Sequence, residues 1–93
     1  METNMDHLRL QVAGMQRKLL VYNVPGRLLI ASIAILPERV RANASRSDLA
    51  DGSGFRVEVV INDVGDQVYD LISELKAIGA SNIAALAITF FEA

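Results

Sequence analysis

Phe55-Arg56-Val57-Glu58-Val59-Val60-Ile61, followed by the stretch from Asn62 to Gly79, decides the fold. Phe55, Val57, Val59 and Ile61 alternate with Arg56, Glu58 and Val60, a period of two that predicts a strand with one buried face. The period then changes. Val64, Val68, Leu71, Ile72, Leu75 and Ile78 form a helical stripe. Asn62 or Asp63 is expected to cap this helix, with Asp66 in its first turn at the positive end of the dipole. Lys76 falls in the last turn, and Gly79 supplies a left-handed C-terminal cap. Ile83 to Phe91 then predicts a final strand. Leu86, Ile88 and Phe90 lie on one of its faces and Ala85, Ala87, Thr89 and Phe91 on the other.

The first half repeats this order. Lys18 to Asn23 contains the continuous apolar run Leu19-Leu20-Val21-Tyr22, suited to a central strand. Val24-Pro25-Gly26 stops it, and Asn23 is expected to cap the next helix with Pro25 in its first turn. Arg27 to Leu36 reads as that helix. Its apolar residues cover most of the circumference, which implies burial on more than one side, the second side being offered to another subunit. Pro37 ends it. Glu38 to Ser45 alternates weakly and predicts an edge strand, and Arg46 to Gly54 predicts a polar loop. Before all this, Met5, Leu8, Val12 and Met15 mark a helix over about Thr3 to Gln16. Residues 1–17 are therefore an N-terminal helix or linker, and residues 18–93 form the domain.

The element order β-α-β-β-α-β is a split βαβ repeat. The expected fold is α+β, a ferredoxin-like plait with an extra N-terminal helix: a four-stranded antiparallel sheet with two helices on one face. The other face stays uncovered. Val60, Leu86, Ile88 and Phe90 are expected there, and an uncovered apolar face calls for a partner, here a homo-oligomer of three or more copies.

Composition bounds the function. Ninety-three residues make one domain. A hydrophobic content of 52% with 22% charge excludes a disordered tail. The absence of cysteine excludes disulfides, thiolate nucleophiles and cysteine-ligated metal. A net charge of −2 argues against nucleic acid as partner. The longest apolar run, Leu28 to Leu36, is too short to span a membrane. Met1 to Arg9 does not read as a signal peptide, so a cytoplasmic location is expected. Charge is uneven, +4 over residues 1–46 and −6 over 47–93, a pattern suited to solvated faces or to complementary subunit surfaces.

No catalytic constellation emerges. His7 is the single histidine and reads as a solvent-facing helical residue. Asp63, Asp66 and Asp70 share a helical face, which reads as a capped, solvated surface rather than a metal site. Ser45, Ser47 and Ser53 have no second histidine to activate them. Gly52-Ser53-Gly54 lacks the lysine and following helix of a phosphate loop. The Tyr22 and Tyr69 hydroxyls read as edge-of-core contacts.

Several segments in order carry a resemblance. Lys18-Leu19-Leu20-Val21-Tyr22-Asn23-Val24-Pro25, the apolar helix ending in Leu36-Pro37, Phe55-Arg56-Val57-Glu58-Val59-Val60 and the run from Asp70 to Ile83 together resemble the C-terminal regulatory domain of long-form ATP phosphoribosyltransferase. Residues 5–17 are similar to the helix that leads into it. The resemblance spans about residues 5–91. It implies a PII-like plait, appended in the full enzyme to magnesium-using catalytic domains of histidine biosynthesis, and a histidine effector held between subunits. This chain would then be no enzyme and hold no cofactor, and it would act on a catalytic partner, in trans if need be. Residues 41–51 depart from the family's Ser-Pro-Thr-like segment, and only Leu49-Ala50-Asp51 is similar. The expected ligand-binding residues are Asn43, Ser45, Ser47 and Asn82. The alternative is an oligomerisation scaffold that has kept no ligand site.

Overall fold

A computed structural model describes residues 17–62 and 66–88 of the chain. Strand β1 (Arg17–Pro25) leads through a 3-10 turn (Gly26–Leu28) into helix α1 (Leu29–Ile35), and a single helical turn, α2 (Glu38–Arg41), follows. Strands β2 (Ser45–Asp48) and β3 (Gly54–Asn62), helix α3 (Val68–Ile78) and strand β4 (Ser81–Ala87) complete the order. The four strands form one sheet in the order β2-β3-β1-β4, with every neighbouring pair antiparallel. This is the ferredoxin-like plait.

Alternation along the two central strands divides the sheet into two faces. Leu20, Tyr22 and Val24 of β1 and Val57, Val59 and Ile61 of β3 point into the core with Leu29, Val40, Val68, Leu71 and Leu75 from the helices and Leu36 just after α1. Of the stripe expected on α3, Val68, Leu71 and Leu75 are buried and Ile72 and Ile78 half-buried, and Val64 lies outside the described residues. Each fully buried aliphatic side chain here is worth roughly 1.5–3 kcal/mol. The register pairs Leu20 with Val59 and Tyr22 with Val57, so one slip would turn the whole apolar set outward.

Two glycines fix the ends of elements. Gly79 adopts φ 113° after α3, where the Gly79 N–H bonds the Lys76 carbonyl and the Ala80 N–H bonds that of Leu75. The expected C-cap is present. Gly54 pairs with Pro25, and a β-carbon there would collide with the Val24 carbonyl oxygen. Only glycine lets β3 start so close to β1.

Several local expectations are corrected. The edge strand expected over residues 38–45 is absent up to Ala44. Pro37 opens a helical turn in which Val40 is buried, and the strand begins only at Ser45, taking residues expected in the loop. The reason is the core: a helical turn brings Val40 under α1, which an exposed strand could not. Asn23 stays in β1 and caps nothing; the first helix starts as a 3-10 turn without a side-chain cap. Helix α3 starts at Val68 from Gln67, which lies at φ 51°, so Asp66 precedes the helix instead of sitting in its first turn. Asp66 closes the turn after β3: its N–H bonds the Asn62 carbonyl at 3.1 Å and its Oδ2 accepts from the Asn62 N–H at 2.5 Å. Tyr69 is exposed rather than at the core edge. The N-terminal helix, His7, Asp63 and Phe90 lie outside the described residues. Among the described residues no helix is long and apolar enough to cross a membrane.

Candidate functional site

Two surfaces stand out, one at the end of the sheet and one on its open face. The first is a concavity where the end of β1, the β2–β3 turn and the α3–β4 turn meet. Its polar lining is Asn23, Asp51, Ser53, Ser81 and Asn82, with Leu49 beside them.

Local physics sets each of these groups. The β2–β3 hairpin closes with the Leu49 N–H on the Gly54 carbonyl at 2.9 Å. Within it the Asp51 carboxylate accepts from the Ser53 N–H at 2.9 Å and the Ser53 hydroxyl at 2.6 Å. Asp-rich turns favour this two-residue reach. The hydroxyl, and then the N–H, hold the Asp51 carboxyl below its ordinary value. On the opposite wall β1 and β4 slip in register between Val21, which faces Ala84, and Asn23, which faces Ser81. Asn82 and Ile83 together thus face Tyr22, and Asn82 takes φ 50°. Such a bulge re-aims side chains, and a left-handed conformation is one asparagine tolerates better than most residues. The resulting wall carries one carboxylate, two amides and two hydroxyls. That set can accept hydrogen bonds from an ammonium group and exchange them with a small polar molecule. It contains no paired nucleophile and base.

The second surface is the face of the sheet away from the helices. Leu19 faces Val60 on one side and Leu86 on the other, so three apolar side chains from β3, β1 and β4 stand in one row. Val60 is 40% exposed and Leu86 48%. In the next row Val21 stands between Glu58 and Ala84. Arg56 and Glu58 pair on this face at 3.0 Å.

The expected ligand residues do not converge within one copy of the chain. Only Asn82 lines the sheet-end concavity. Asn43 lies beside Arg39 and Asn62 near the far end of β3. Ser45 borders a groove under α1, and its hydroxyl donates to the Glu58 carbonyl at 3.4 Å. Ser47 faces Arg56 on the exposed edge strand. The concavity's other polar groups, Asn23, Asp51, Ser53 and Ser81, are not among the expected ligand residues. Asn23 reads from the sequence as a helix cap, and its place in the run Tyr22-Asn23-Val24-Pro25 is the signal that sets it at the end of β1 instead. Of the expected oligomer residues, Val60 and Leu86 share a face, with Leu19 between them. Ile88 follows β4 and borders the concavity that holds Asn43.

The fold and these surfaces define a small α+β plait with a polar concavity at one end of the sheet and an apolar sheet face. The family described as "HisG, C-terminal domain" matches residues 15–90. The chain belongs to that family, the C-terminal domain of ATP phosphoribosyltransferase, an enzyme of histidine biosynthesis. No curated protein matches the chain.

Proposed function

We propose that this chain is a non-catalytic regulatory domain that senses a small amino-acid effector, histidine in the first instance, at the sheet-end concavity. The observation that carries the reading is Asp51. An ionised carboxylate, held by Ser53 and set among Asn23, Ser81 and Asn82, supplies the counter-charge that an α-ammonium or imidazolium group needs. The concavity is open, and a neighbouring subunit would close it. Asn43, Ser45 and Ser47 would contribute only from such a neighbour. Effector binding then regulates by favouring one arrangement of subunits over another, because a ligand shifts an equilibrium only through different affinity for its states. The role requires no cofactor, and the catalytic domains it acts on lie elsewhere in the same protein or in trans.

Calorimetric titration with L-histidine tests this. Saturable heat near one site per chain, lost in D51N, supports it. Ligand at a hundredfold excess over its dissociation constant should also stabilise the fold by about 2.7 kcal/mol. A flat trace overturns it and leaves the second reading, an oligomerisation scaffold, which the Val60–Leu19–Leu86 row favours by itself. Under that reading V60D changes the assembly size, and no amino acid does.

A further inference from the structure

We propose that strand β2 pairs with the same strand of a second copy of this chain, across a two-fold axis at Ser47. This interface is separate from the Val60–Leu19–Leu86 face. β2 ends the strand order, and all four of its residues are exposed. Among the described residues only β3 pairs with it, so its outer edge is a template for another strand.

The side chains select the occupant. Arg46 and Asp48 lie opposite Val57 and Phe55, on the helix side of the sheet, whereas Ser45 and Ser47 lie opposite Glu58 and Arg56 on the open side. Antiparallel pairing centred on Ser47 sets Arg46 opposite Asp48 of the second copy, and Asp48 opposite its Arg46. Two directly opposed ion pairs form, and Ser47 meets its own symmetry mate. Centring on Arg46 or on Asp48 instead opposes like charges. Centring between Arg46 and Ser47 sets a helix-side residue against an open-side one and throws the two helix layers onto opposite faces. Only the register centred on Ser47 opposes Arg46 to Asp48 while keeping both helix layers on one face; centring on Ser45 keeps the layer but sets both charges opposite alanines.

Helix α1 adds the apolar part. Ile30 is 82% exposed, and a groove between α1 and β2 is lined by Ile30, Ile33, Ala34, Ala44 and Arg46. With both helix layers on one face, the two-fold brings α1 of the second copy alongside this groove and covers Ile30. The apolar breadth of this helix, more than one core requires, is thereby used. Arg46 is already placed on the helix side, its guanidinium 5.4 Å from the centre of the Phe55 ring.

Charge reversal tests the register. Sedimentation velocity across a concentration series should show R46D weakening self-association by about tenfold or more, because Asp then faces Asp. D48R should do the same, and R46D/D48R should restore it. The chain has no cysteine, so S47C introduces one thiol at the axis. Mild oxidation should link S47C into a covalent dimer far faster than S73C on the exposed face of α3. Circular dichroism establishes that each variant is folded. Equal cross-linking of S47C and S73C, or a double variant no better than R46D, overturns the proposal. Self-association that V60D abolishes and R46D leaves intact overturns it also.

Discussion

The Tyr22 hydroxyl donates to Ser32 Oγ at 3.0 Å, and Ser32 Oγ donates to the Leu29 carbonyl at 2.7 Å, both side chains being fully buried. This relay ties the central strand to α1 through the middle of the core. Ser32 is the one polar residue among the core-facing positions of that helix, and it is there to accept from Tyr22. Ser32→Ala leaves the Tyr22 hydroxyl buried without an acceptor and should cost about 1–3 kcal/mol. Tyr22→Phe leaves Ser32 still bonded to Leu29 and should cost less, about 0.5–1.5 kcal/mol. Urea denaturation of the two variants gives the order, and the reverse order would contradict the relay.

Burial raises the Tyr22 phenol above its ordinary value, an effect the Ser32 contact partly offsets. The unfolded chain therefore releases this proton first. Stability from Tyr22 is full below about pH 10 and falls as pH rises toward the folded value. In Tyr22→Phe this alkaline loss should shrink, as denaturation curves between neutral and alkaline pH can measure.

Asp66 binds both the Asn62 N–H and the Arg39 guanidinium, so it joins the turn after β3 to α2. Its side chain is 3% exposed and that of Arg39 58%. The pair is thus half in water, and its Coulomb gain is discounted accordingly. Arg39→Ala should cost about 1–2 kcal/mol, mainly by leaving a buried carboxylate with one donor. In R39A/D66N the loss should be smaller than the sum of the single variants. Strict additivity in thermal unfolding would show that the two side chains act independently.

Much of the plait was legible because β3 and the long helix obey one period each, and β1 is an unbroken apolar run that suits a central strand. Phe55 to Ile61 alternates, and Val68, Leu71 and Leu75 recur at helical spacing, so tertiary structure had only to accept them. The edge strand expected over residues 38–45 failed because beyond Val40 its alternation was carried by Ala42 and Ala44, a weak signal that burial of Val40 overrides. The sheet-end concavity was half legible. Asn82 is among the expected ligand residues, yet its place in the concavity depends on a register slip of β4 against β1 that no single segment encodes. Asp51 and Asn23 meet there only because Gly54 lets the hairpin close against Pro25, a contact between residues far apart in sequence.

The Asp51–Ser53 turn gives the candidate site a measurable signature. Ser53 holds the Asp51 carboxyl below its ordinary value, so Ser53→Ala should move its titration back up toward 3.8. Carbon-detected NMR of the carboxyl resonance reads this directly, and an unchanged midpoint would refute the contact. The sign for folding follows: the turn contact is fully present above the ordinary aspartate range and is lost as pH falls through the lowered value. Because Asp51 is exposed, the loss should be local, seen in the Gly52 and Ser53 amides while the β3 amides stay protected. The same titration bears on the effector. If Asp51 supplies the counter-charge, affinity for an ammonium-bearing ligand falls with the carboxylate's protonation, and in Ser53→Ala that fall begins at higher pH. An affinity that ignores both the titration and D51N would place the ligand elsewhere on the molecule.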